Sequence, residues 1–305
     1  MRHTLYIALT CLLATAYPGT FSVSELRAQD TQTSEEEAPA GRAPVSLEKL
    51  SIIFEGDEVL KQEGIHEWAG KAGKIVTDYF PYFDKLLETD GFVPEKEMSI
   101  VFRKMEGVAF ASGTQIVISA DWIRRQPGDF GMVAHELVHV IQRYPGGRGG
   151  QGQGLPFWAM EGLTDYIRHV HFEPEVQMRP FNRGENYDGN YQITAAFFMY
   201  IVDTYDKDFI TKLNEMGRKR TYSADIFEKS TGKDVEALWA EYDEKVRQPH
   251  MTARTRMIPA VQFPNIMKYK AEFEENLAKS LAAAQAQPPQ PQQQGQRQGR
   301  QRPQQ

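Results

Sequence analysis

The stretch His135-Glu136-Leu137-Val138-His139 carries residue types that can bind a metal ion and put it to use. It lies in an apolar run, Phe130 to Tyr144, that reads as a helix. Residues four apart on an α-helix share a face. Two imidazoles so placed can hold one zinc ion, and the glutamate between them can act on water at the metal. A catalytic zinc site needs three protein ligands and one open position, and two histidines with a glutamate form one such set. Glu161, in the otherwise apolar stretch Trp158 to Tyr166, lies far enough beyond His139 for a loop and a returning helix, and it is the candidate third ligand. Asp165 sits one turn further on the same face. From there it can accept the second N–H of a ligand histidine and fix its tautomer, and it is the first substitute should Glu161 not be the ligand. The plainer alternative is a pair of surface helices with solvated histidines and carboxylates.

These residues need elements to hold them. Asp129 is expected to cap the N-terminus of the first helix, and Tyr144-Pro145-Gly146-Gly147 to end it. Residues 146–154 contain six glycines and are expected to form a flexible rim over the site. They lack the strand-then-helix setting of a phosphate-binding loop. The second helix is expected from Pro156 to about Val170, with proline at a tolerated early position. Upstream, Leu47–Phe54 and Lys96–Phe102 read as strands, the latter with Met98, Ile100 and Phe102 on one face. Between them Ile65–Leu87 has helical periodicity, with Pro81 placed to kink or divide it. Val108-Ala109-Phe110 and Gln115–Ile118, split by Ser112-Gly113, read as a hairpin. The first of these strands is either an exposed edge that binds an extended substrate peptide through its main chain or an ordinary core hairpin strand. Gln192–Val202, Lys207–Met216, Ser223–Ser230, Val235–Val246 and Ile266–Ala284 read as helices. The expected fold class is therefore α+β, strands first and helices after, with the metal between two lobes.

The chain has 305 residues, 41% hydrophobic and 25% charged, a globular balance with a formal net charge of -6. No basic block or basic-aromatic pattern points to nucleic acid. Arg2 and His3 precede an apolar run, Leu5 to Ala16, too short to span a bilayer as a mature helix. It reads as a signal peptide, with residues 1–28 removed by cleavage after Ala28, or fewer after Ala16. A buried N-terminal helix is the alternative. Cys11 is the only cysteine, so cleavage leaves no disulfide and no membrane span. Residues 29–44 read as a polar, acidic leader, 45–248 as the catalytic domain, 249–284 as a partly helical extension, and 285–305 as a disordered Gln/Pro tail.

With both helices in view, the chain resembles the basic secretory proteins, a peptidase family of plants and bacteria, from about Leu50 to Val246. The markers are Ala134 to Gln142, Glu161 to Arg168, Tyr191 to Phe198, and Leu238-Trp239-Ala240-Glu241-Tyr242. The resemblance implies a zincin-like fold, secretion or a periplasmic location, a peptide or protein substrate, and Zn2+ as cofactor. It carries zinc binding onto His135 and His139 and catalysis onto Glu136. Glu161 as third ligand leans also on similarity to other zincins. This chain departs from the plant pattern in being acidic, lacking structural cysteines and adding the Gln/Pro tail. Tyr191, in a segment shared with the family, is the candidate donor to the tetrahedral oxyanion, with Tyr166 and Tyr187 as competitors. The leading function is zinc-dependent peptide hydrolysis. A binding scaffold with little turnover, or a hydrolase of non-peptide amides, are the alternatives.

Overall fold

The computed structural model describes residues 42–145, 154–179, 184–253 and 258–286. The expected signal peptide, almost all of the leader and of the tail, and nearly the whole glycine-rich rim lie outside the described residues.

Four strands form one mixed sheet in the order β1-β2-β4-β3: β1 (Lys49–Glu55), β2 (Glu97–Arg103), β3 (Ala109–Ser112) and β4 (Gln115–Ser119). β1, β2 and β4 run parallel, with Ile52 opposite Ile100 and Ile100 opposite Ile116. β3 returns antiparallel to β4, with Ala109 opposite Ile118. Gly113, at φ +59°, makes the tight turn between them. β2 buries Met98 through Phe102 without a break, rather than on one face as the alternation suggested. It is the central strand of the parallel part, and such strands are covered on both faces.

After the short helix α1 (Asp57–Leu60), α2 (Ile65–Leu86) runs unbroken through Pro81. Its buried stripe of Ile65, Trp68, Ala72, Val76, Phe80 and Phe83 repeats every three to four residues. Proline costs this helix one hydrogen bond, and the buried stripe on both sides of it holds the helix together. α3 (Ala120–Arg125) is capped by Ser119, whose Oγ accepts from Trp122 N at 3.2 Å. α4 (Gly131–Gln142) is buried at every position, as befits a helix apolar nearly all round. It packs on β3, β4 and α2 on one side and on α5 (Phe157–Ile167) on the other. Asp129 does not cap it. Phe130 is the N-cap, without a side-chain bond, and Asp129 instead accepts from Trp122 Nε1 at 3.0 Å and Arg168 Nη2 at 3.3 Å.

The far end of α4 is tied down by a buried cation. Arg218, from α7 (Phe209–Lys219), donates from Nη2 to Ile141 O at 2.8 Å and from Nε to Gln142 O at 3.3 Å. Its Nη1 reaches Thr89 Oγ1 at 2.9 Å and the Leu87 carbonyl just past α2. The guanidinium also lies 3.7 Å from the Phe92 ring centroid. Carbonyls at two helix C-termini thus satisfy one charge.

α5 continues into a wider π-turn, Arg168–Phe172, and crosses α6 (Tyr191–Thr204) closely. Gly162 makes the crossing possible: a Cβ there would fall 2.2 Å from Thr194 Cγ2. α8 (Asp225–Thr231) and α9 (Val235–Tyr242) bring Phe227, Trp239 and Tyr242 against Phe197. After α10 (Gln248–Thr252), α11 (Pro264–Ala286) packs back onto α6. Asp203 Oδ1 accepts from Asn265 N at 2.8 Å and Ile266 N at 3.2 Å. Ile266 is buried in the same continuous core as Phe54. Among the described residues no helix is long and apolar enough to cross a membrane.

Candidate metal centre

The 3.6-residue repeat of α4 stacks His135 and His139 on one face, and α5 brings Glu161 opposite them. His135 Nε2 and His139 Nε2 are 3.2 Å apart. Glu161 Oε2 lies 3.2 Å from the first and 3.3 Å from the second. All three side chains are buried. Among the described residues this is the one such cluster of histidine and carboxylate groups able to hold a metal ion.

Each imidazole is held from behind. Asp165 Oδ1 lies 2.7 Å from His135 Nδ1. Gln142 Oε1 lies 2.9 Å from His139 Nδ1. The Gln142 amide is oriented in turn: its Nε2 donates to Thr164 Oγ1 at 3.1 Å, and that hydroxyl donates to Met160 O at 2.9 Å. Both Nδ1 atoms therefore donate, and both Nε2 atoms turn inward. Sequence reading assigned Gln142 no role. Its signal was the three-residue spacing from His139, which puts both on one face of α4.

Two ring nitrogens and a carboxylate oxygen now face one another at 3.2–3.3 Å with a positive charge needed among them. Burial disfavours the His135 imidazolium, but Asp165, Glu161 and Glu136 outweigh burial and raise it to about 10. Burial would raise Glu161, yet hydrogen bonds from both imidazoles hold it far below the usual carboxylate range. Asp165 is likewise lowered, its bond to His135 overcoming burial. Glu161 Oε1 is buried with no hydrogen-bond partner, a defect that a cation would relieve. Donors about 2.0–2.1 Å from a tetrahedral zinc stand roughly 3.3 Å apart, which this triangle matches. The donor set fits a metal ion.

The centre opens into a cavity of about 610 Å³. Glu136 lines it beside His135, Glu161 and Asp165, and is itself buried. Tyr191 lines it too, half exposed, its ring stacked 6.0 Å from that of His135. Asn190 and Tyr191 both have positive φ, +65° and +45°, an uncommon backbone for residues with side chains. The competing tyrosines do not line the cavity: Tyr166 is buried in the core, and Tyr187 packs 5.2 Å from Trp158. Val108 and Ala109 form one wall, while Phe110 turns away under Arg103. β3 is the last strand of the sheet, so its outer edge is unpaired among the described residues.

Fold and site together define an α+β protein with an H-E-x-x-H helix and a buried His-His-Glu group able to hold a metal ion. A family model described as peptidase of plants and bacteria matches residues 75–242, and the chain belongs to that family. No curated protein and no solved structure matches the chain.

Proposed function

We propose that the protein is an exported, zinc-dependent peptidase, with His135, His139 and Glu161 as ligands and Glu136 as the proton carrier. The observation that carries this is the trio of inward-facing acceptor atoms with the orphaned Glu161 Oε1 beside them. A bound zinc would supply Lewis acidity toward water and a peptide carbonyl. Glu136 takes a proton from the attacking water and hands it to the leaving amine. Asp165 and Gln142 keep the two imidazoles in the Nδ1–H tautomer, so that the Nε2 lone pairs stay available. Tyr191 offers a hydroxyl donor to the oxyanion from the cavity wall. The free edge of β3 holds the substrate main chain, which enters extended. Export rests on the basic-apolar-small pattern of residues 1–28, and sequencing the N-terminus of the exported protein tests it.

The deciding experiment pairs metal analysis with cleavage of an unfolded protein, with and without chelator. Wild type is expected to hold about one zinc and to lose cleavage on chelation. Glu136→Gln keeps zinc and loses about 10²-fold or more in rate. His135→Ala, His139→Ala and Glu161→Ala lose both. Full zinc and wild-type turnover in Glu161→Ala would move the third ligand elsewhere. Undiminished hydrolysis by Glu136→Gln would leave the mechanism without its centre.

A further inference from the structure

The cavity over the metal centre holds two arginines that the chemistry above does not use, Arg168 and Arg179. Arg168 is clamped. Its Nε donates to Glu173 Oε1 at 2.5 Å and its Nη2 to Asp129 Oδ1 at 3.3 Å. The clamp lies directly on the first residue of α4, where a Cβ on Gly131 would fall 2.4 Å from Nη2 and 2.5 Å from Nε. Nη1 makes no hydrogen bond among the described residues, and the side chain, 20% exposed, lines the cavity. A guanidinium presents its donors as a rigid fork. Here two prongs are fixed and the third is left to the cavity. Arg179 is anchored by its backbone instead, N to Gln192 Oε1 at 2.7 Å. Its side chain is exposed and makes no ion pair among the described residues.

Four carboxylates line the same cavity, Glu136, Glu161, Asp165 and Glu185, and two of them are held by the metal-site histidines. Glu161 and Asp165 are bound to imidazoles. The Glu185 backbone carbonyl accepts from Arg247 Nη1 at 3.4 Å.

β3 gives the cavity a direction. Val108 and Ala109 line it, whereas Ala111, Ser112 and Gly113 line a second cavity of about 340 Å³ beside His139 and Gln142. A chain pairing antiparallel to β3 therefore runs from the second cavity into the first. With the scissile bond at the metal centre, residues after it then fall in the arginine-lined cavity, which Glu136 also lines.

We propose that Arg168 and Arg179 select substrates with a carboxylate on the leaving-amine side of the scissile bond. The carboxylate is an acidic side chain or the free C-terminus of the peptide, since both present the same two oxygens to a guanidinium fork. The inference rests on the peptidase reading, and its test separates the two.

Binding is measured on zinc-loaded Glu136→Gln full-length protein, so that turnover does not enter. One arm compares an acetylated, amidated alanine peptide bearing one glutamate with its glutamine isostere. The other compares an all-alanine peptide ending in a free carboxylate with its amide. In at least one arm the carboxylate peptide is expected to bind about tenfold more tightly. That advantage should shrink to about threefold or less in Arg179→Gln, an exposed change that leaves the core alone, and again in Arg168→Gln. Equal binding within both pairs, or an advantage untouched by both substitutions, overturns the proposal. Cleavage of a mixed peptide library by wild type gives the position. Enrichment of carboxylates before the cleaved bond rather than after it also overturns the proposal, while cleavage itself upholds the peptidase reading.

Discussion

Replacing Gly162 with alanine sets two effects against each other, and the structure decides the sign. In a helix interior alanine is favoured over glycine by about 1 kcal/mol. At Gly162, however, the added methyl would lie 2.2 Å from Thr194 Cγ2, 2.5 Å from Thr194 Cβ and 3.4 Å from Phe198 Cε2. Carbon atoms settle at roughly 3.5–4.0 Å, so about 1.3 Å or more must be found. Thr194 cannot swing aside, because it is fully buried and its Oγ1 is bonded to Tyr187 O at 2.7 Å. α5 must therefore move off α6. Overpacking of this kind costs about 1–3 kcal/mol, enough to outweigh the gain in helix propensity. The moving helix carries Glu161 and Asp165, whereas metal–ligand distances tolerate only about 0.2 Å. Gly162→Ala is expected to melt below wild type in chelator and to bind zinc at least about tenfold more weakly. Gly70→Ala is the control. It lies exposed in α2 with nothing within 4 Å of a built Cβ, and should melt at or above wild type. Thermal melts and a zinc competition titration on the three proteins suffice. Gly162→Ala that melts no lower than Gly70→Ala and keeps wild-type zinc affinity would refute the close-contact argument.

Gln142→Leu removes the acceptor behind His139 and should weaken zinc binding about 10- to 100-fold, while Gln142→Glu retains most of it; equal affinities in a competition titration would deny the residue its orienting role. Tyr191→Phe should keep zinc and lower kcat by about tenfold or more, and unchanged kcat would remove it from the oxyanion site. His171 is buried against Tyr82 and pushed down by burial to about 3, against 6.5 when free. The unfolded chain therefore binds a proton that the folded chain refuses, so this stability is intact above about pH 6.5 and is lost as pH falls toward 3, at up to about 1.4 kcal/mol per pH unit. Urea unfolding between pH 7 and pH 5 should be steeper in pH for wild type than for His171→Leu, and equal slopes would contradict this.

The metal cluster was legible in the sequence because its spacing is helical. His135, His139 and, one helix later, Glu161 and Asp165 fall on facing stripes once the two helices are recognised. The α+β order and the hairpin were legible from the extended pieces early in the chain, split by Ser112-Gly113, and the helical periodicity after them. Asp129 departs from the local capping pattern because its carboxylate is taken up by tertiary partners, Trp122 and Arg168. The full burial of β2 depends on which strands flank it, and alternation within one strand does not carry that. Arg218 meets α4 from 77 positions away at Ile141, and no local pattern announces such a contact. The positive φ of Asn190 and Tyr191 is equally silent, since neither is a glycine. α11 begins at Pro264 rather than Ile266, with proline at its first position where a missing N–H costs nothing.

β3 is only four residues long and ends at the turn glycine. An open edge is an invitation to any extended chain, including another copy of the same protein. So short a ladder offers a second molecule few main-chain bonds, each contributing about 1 kcal/mol net, which guards against fibre-like association. In the function proposed above the same shortness would work against product inhibition: a substrate strand held there by so few bonds, once cut, would leave two fragments that each retain part of an already weak grip.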